Sequence, residues 1–168
     1  MPVTAERSDD AAGAARADDD PAPPAGYEPI VSSNAFAGRN GPVFEQRRAD
    51  GGWVRGFRAL SYHCNAGGIV HGGMMMTFAD IVLARAVLDI ARPPFATLRL
   101  VSDFAGPAPL GSWVSGTARC VAQRGSVIYL DGRIDADGAP ALILSGLFKL
   151  RRPDRTVPPG QGEDSDAG

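Results

Sequence analysis

One segment decides most of what this chain can fold into. Residues 71–90 contain no proline, carry glycine only at the start, and are stopped by Arg92-Pro93-Pro94. Those are the marks of one long helix with defined ends. Apolar residues occupy nearly all of its sides, so the helix is expected inside the fold rather than on its surface. Downstream, residues 97–104, 113–121, 127–134 and 141–150 read as strands, separated by Gly106-Pro107, Gly125 and Asp135-Ala-Asp-Gly138. Upstream, residues 43–48 and 53–63 flank Asp50-Gly51-Gly52, a hairpin signal. Strands that follow one another with short turns form an antiparallel sheet.

The simplest packing of this order is α+β, with five or six antiparallel strands wrapped around one central helix. That is the hotdog architecture. A ferredoxin-like fold would need a second helix, and nothing after residue 95 supplies one. The 168 residues make about one domain. Residues 1–26 and 153–168 lack hydrophobic periodicity and are rich in Ala, Asp, Pro and Gly, so they are expected to be disordered acidic tails around a domain at 27–152. With the tails set aside, the domain has nine acids against fourteen bases, a net charge of +5 within a chain of net −2. That excess suits an anionic small ligand. Its arginines stand singly or in pairs, with no run of five and no aromatic-basic alternation, so nucleic acid is not the expected partner. No apolar run free of charge approaches the roughly 18 residues of a membrane span, and no secretory leader is evident, so the expected location is cytoplasmic. Cys64 and Cys120 have no partner spacing for zinc, and with only His63 and His71 in the chain no metal and no cofactor is expected.

The chemistry concentrates at Asn65-Ala-Gly-Gly-Ile-Val-His71-Gly72-Gly73 and, further along the helix, Asp80. Glycines at a helix start leave backbone N–H groups uncovered, which suits an oxyanion. A carboxylate within an apolar helix can activate water. Together they suggest acyl transfer to water, with a preorganised oxyanion donor worth about 3 kcal/mol. The competing role for Asp80 is an ion pair with Arg85 or Arg99. His71 reads better as a residue ordering the helix start than as a base. Met74-Met75-Met76 reads as core packing, since successive side chains on a helix diverge.

This spacing, an Asn six residues before HGG and an acid nine residues after its His, resembles the PaaI-type branch of hotdog acyl-CoA thioesterases. The resemblance covers 27–152, including Phe36-Ala-Gly-Arg-Asn-Gly-Pro42 and Ala105-Gly-Pro-Ala-Pro-Leu-Gly111. It implies hydrolysis of an acyl-CoA thioester. Gly72 N–H would polarise the carbonyl, beside Gly73 and with His71 at the same helix start. Asp80 would be base or nucleophile, Asn65 would hold water or the carbonyl, and Thr97 would assist the carboxylate. Arg124-Gly125-Ser126 matches a turn near the nucleotide part of coenzyme A, and reads equally well as a plain hairpin turn.

Gly72 and Asp80 are eight residues apart, about 12 Å along one helix. Groups acting on one carbonyl must lie within roughly 3–3.5 Å of the reacting atoms. One helix cannot supply both, so the site calls for a second chain in a two-fold homodimer. The resemblance implies the same dimer, commonly paired into a dimer of dimers. The alternatives are a binding module that holds acyl-CoA without turnover and a hotdog hydratase or dehydratase, which would use a His and Asp pair where this chain has HGG. The acyl group, and coenzyme A against acyl carrier protein, stay open.

Overall fold

The computed structural model describes residues 22–31, 35–92 and 94–151. Nearly all of both expected tails therefore lies outside the described residues. The last five residues expected in the first tail do not stand away from the domain. Pro24 C=O accepts from Tyr27 N–H, Ala22 C=O accepts from Arg58 Nη2 at 3.0 Å, and the Tyr27 ring meets Trp113 edge-on at 4.9 Å.

The elements are β1 (Glu28–Pro29), α1 (Ala35–Arg39), β2 (Phe44–Arg47), β3 (Trp53–Arg58), α2 (Gly72–Leu88), β4 (Phe95–Phe104), β5 (Trp113–Arg124), β6 (Val127–Ala136) and β7 (Ala139–Leu150). The strands form one antiparallel sheet of seven in the order β1-β2-β3-β5-β6-β7-β4, with α2 packed on it. Seven strands replace the five or six expected, because the two-residue β1 adds an edge that is too short to read from sequence. The strand expected to run to His63 ends at Arg58. There Leu60 N–H turns to His63 Nδ1 at 3.1 Å, and Ser61–His63 becomes a 3-10 turn.

Alternation on the central strands puts Leu142, Leu144, Gly146 and Phe148 of β7, and Ile128, Leu130 and Ile134 of β6, on the inner face. On α2, Met74, Met75, Phe78, Ala79, Val82, Leu83, Ala86 and Val87 form the buried stripe. Fully burying one such large side chain stabilises by about 1.5–3 kcal/mol. Two strand glycines set how closely the helix lies. A Cβ on Gly116 would come within 2.6 Å of Val82, and one on Gly146 within 2.7 Å of Leu83. The other side of α2, with Thr77, Asp80, Ile81 and Ala84, is only half-buried. An apolar composition all round thus meets a helix that the other described residues cover mainly on one side. Among the described residues no helix is long and apolar enough to cross a membrane.

Candidate active site

The start of α2 is built by His71 and two glycines. His71 occupies the N-cap, and its Nδ1 accepts from Gly73 N–H at 2.9 Å. A Cβ on Gly73 would lie 3.1 Å from that nitrogen, so the missing side chain makes room for the imidazole cap. Gly72 N–H precedes the first intrahelical bond and has no acceptor among the described residues. It is a donor at the positive end of the helix dipole. The Phe104 ring, at the end of β4, lies over it: a Cβ on Gly72 would meet that ring at 3.4 Å.

Asn65 opens the small hairpin that delivers the chain to His71. Its Oδ1 accepts from Gly67 N–H at 2.9 Å, its N–H donates to Ile69 C=O, and Gly68 at φ 71° completes the turn. Val70 N–H and Leu110 N–H tie this hairpin to the loop after β4, through Ala108 C=O and Gly68 C=O.

Asp80 lies two turns further along α2. Thr97 Oγ1 on β4 donates to its Oδ1 at 2.7 Å. The second oxygen has no hydrogen-bond partner among the described residues. The alternative ion pair is not formed. Arg85 instead meets Asp89 at 3.1 Å and Glu45 at 3.7 Å, and Asp80 makes no ion pair among the described residues. The Asp80–Thr97 contact depends on an irregularity in β4. Thr97 pairs with Phe148 and Arg99 with Leu147, leaving Leu98 as an unpaired extra residue. Side chains facing α2 are therefore Phe95 and Thr97 before the bulge, then Leu100, Ser102 and Phe104 after it. The ring contact of Phe95 with Phe148 and the Ser102 Oγ contact with Met76 Sδ at 2.8 Å fix both phases.

Asp80 borders a cavity of about 400 Å³. Its walls are Ile81 and Ala84 of α2, Ile30 and Val43, and the segment from α1 to Pro42. Asn40 Nδ2 closes α1 on Phe36 C=O at 2.8 Å, and Tyr62 Oη donates to Gly41 C=O at 2.6 Å, so this wall is tied to the loop before α2. Arg55 of β3 also lines the cavity. Its Nε and Nη2 donate to Glu45 Oε2 at 3.2 and 3.1 Å, and its Nη1 donates to Ile81 C=O at 2.9 Å. Burial pulls its pKa below the ordinary arginine value, against the opposing pull of Glu45. Arg55 escaped the sequence reading, since a single arginine in a strand carries no motif.

The remaining candidates are dispersed. Arg124-Gly125-Ser126 is the β5–β6 hairpin turn, with Gly125 at φ 58° and Ser126 C=O accepting from Leu150 N–H. By strand register it lies at the Thr97 end of the sheet, away from the end where Phe104 meets Gly72. Within one chain the structure brings together Asp80 and Thr97, and separately groups Asn65, His71, Gly72 and Gly73. A wider groove of about 660 Å³ on the outer face of the sheet has its cations already matched: Arg119 with Asp131, Arg133 with Asp135, Arg48 with Asp50. Arg119 holds the Asp131 carboxyl below its ordinary value through their hydrogen bonds. Among the described residues no group of three His, Cys, Asp or Glu side chains could hold a metal ion.

This geometry has relatives. Residues 67–140, from the Asn65 turn into β7, match the family model described as the thioesterase superfamily. A protein of Pseudomonas aeruginosa, named "Putative esterase PA0474", is 30% identical over 129 residues, covering 76% of this chain and 96% of that protein. The chain belongs to the thioesterase superfamily. Two solved structures share the fold of this superfamily member. One is the phenylacetic acid degradation protein PaaI of Thermus thermophilus, in a mutant form, with a TM-score of 0.62 and 21% identity over 70% of this chain and 100% of the other. The other is the BH2602 protein of Bacillus halodurans, crystallised with CoA, with a TM-score of 0.60 and 23% identity over 65% of this chain and 74% of the other. These two likenesses establish the hotdog fold.

Proposed function

We propose that this protein hydrolyses an acyl-CoA thioester to the free acid and CoA. The observation that carries the reading is Asp80: a carboxylate without an ion pair among the described residues, held at one oxygen by Thr97, on the border of a cavity lined largely by apolar side chains. The superfamily membership and the CoA bound to the Bacillus halodurans relative support it.

In the reaction, Gly72 N–H stabilises the oxyanion as the carbonyl carbon is attacked. Two routes suit one carboxylate. As base, Asp80 takes a proton from water while the water oxygen bonds to carbon. As nucleophile, it forms an anhydride that water then opens. In both, the carbon–sulfur bond breaks, CoA leaves as a thiolate that takes up a proton, and Asp80 returns to its starting state. Asn65 holds the water or the carbonyl.

Each site draws Gly72 and Asn65 from one chain and Asp80 from a second copy. Support comes from the roughly 12 Å rise between Gly72 and Asp80 on one helix and from β4. Among the described residues this strand has β7 alone as a neighbour, and it exposes Leu98, Val101 and Phe104 along its ten residues. A long apolar edge strand is a template for pairing.

The test is thiol release across a panel of acyl-CoA thioesters, with Asp80→Asn as control. The variant is expected to lose at least about 100-fold in kcat with its circular dichroism unchanged. Binding of acyl-CoA without thiol release would make the protein a binding module instead. Turnover in heavy-oxygen water under single-turnover conditions tests the nucleophilic route, because label in the Asp80 side chain requires an anhydride opened by water at the Asp80 carbonyl.

A further inference from the structure

The cavity beside Asp80 does not end in an apolar wall. Four residues beyond Asp80, about 6 Å along α2, Ala84 forms its side, and Arg55 lies at the same level through its bond to Ile81 C=O. The Arg55 side chain is 12% exposed. A guanidinium has five N–H donors. Three are engaged, two on Glu45 Oε2 and one on Ile81 C=O, and two have no acceptor among the described residues. A buried donor without an acceptor is costly, and a ligand that supplies one gains accordingly.

From this we infer that the acyl group of the substrate ends in an uncharged oxygen acceptor, a carbonyl or hydroxyl, that binds Arg55 at the end of the cavity away from the thioester. The inference rests on the proposed thioesterase reading and narrows its substrate class. Charge selects the neutral oxygen over a carboxylate. Around this end, Glu45 and Asp89 already balance Arg55 and Arg85, and Glu45 occupies one edge of the Arg55 fork. A further anion would enter a region whose positive charge is already matched. The apolar walls of Ile30, Val43, Ile81 and Ala84 suit the carbon chain between the two polar ends. Arg55 is thus a specificity residue, and Asp80 remains the reacting group.

The experiment uses three S-alkyl-CoA thioethers of equal chain length ending in methyl, methyl ketone or carboxylate, titrated calorimetrically into the full chain. Because thioethers are not hydrolysed, their affinities are read independently of turnover. The ketone-ended probe is expected to bind about tenfold tighter than the methyl-ended one, and the carboxylate-ended probe more weakly than the ketone. Arg55→Lys keeps the cation but not the fork. It should shrink the ketone advantage over the methyl-ended probe to below about threefold. Ala84→Leu, which fills the wall between Asp80 and Arg55, should weaken all three without touching Arg55. Equal affinity of ketone and methyl probes overturns the inference, as does an advantage that survives Arg55→Lys, a carboxylate that binds tightest, or no binding at all. Thioester hydrolysis without any ketone preference would leave the thioesterase reading standing and this inference refuted.

Discussion

Thr97 and Gly72 show how little separates a functional residue from an ordinary one. The Thr97 hydroxyl donates its proton to Asp80 at 2.7 Å. Thr97→Val keeps the shape and loses that bond, so kcat/KM should fall about tenfold with thioester substrates, while Thr97→Ser restores most of the rate. A valine variant at full rate would show that the hydroxyl has no part in the reaction. Gly72→Ala tests the other half of the site. Its new methyl would touch Phe104 at 3.4 Å, an ordinary contact, so the melting temperature should hardly move. Turnover should nevertheless drop, because the methyl crowds the approach to the helix start. A variant that loses its fold together with its activity would make Gly72 a packing residue. His71 was legible in advance as a helix-ordering residue, from its place before two glycines, and its Nδ1 bond to Gly73 N–H agrees. Arg55 was not, because its meaning lies in what it faces across twenty-six positions of sequence, at Ile81.

At the scale of elements, the long helix was the most legible part of the chain. Proline stops it and glycine starts it, and the observed Gly72–Leu88 differs from the expected 71–90 only at its ends. Strand β4 was legible as a strand but not in its facing. Simple alternation from Leu100, Ser102 and Phe104 would turn Thr97 away from the helix. The extra residue at Leu98 reverses that phase, and nothing in the local composition announces it. The family resemblance placed Thr97 near the carboxylate where periodicity alone would have misplaced it. Residues 22–26 likewise have no hydrophobic pattern, yet the Ala22 carbonyl accepts from Arg58 and the segment leads into Tyr27 on Trp113. The helix–sheet contact carries its own prediction. Gly116→Ala drives a methyl to within 2.6 Å of Val82 and 3.1 Å of Ile134, both stiff β-branched side chains. Urea unfolding should show a loss of about 1–3 kcal/mol, and a neutral result would mean that α2 can lift off the sheet without cost.

For the whole molecule, the decisive question is whether one chain holds a complete site. If Asn65 and Asp80 act across two copies, Asn65→Ala and Asp80→Ala are each nearly inactive alone. Unfolded together in equal amounts and refolded, half of their dimers are mixed, and each mixed dimer has one whole site. Activity should climb from near zero toward about a quarter of wild type. A mixture as inactive as its parents, with mixed dimers present, would place both residues in one site from one chain. The exposed edge of β4 has a consequence for the life of the chain as well. Every newly made copy leaves synthesis with a ten-residue, partly apolar strand whose outer edge has no neighbour among the described residues. Two fates compete for that margin: orderly addition of a native partner, and indiscriminate strand addition by unfolded neighbours. Warm or crowded expression favours the second, so inclusion bodies should form more readily than the buried core alone would suggest. A charge placed at Val101, which faces solvent in the lone chain, would guard the edge against aggregation while depriving it of its proper mate.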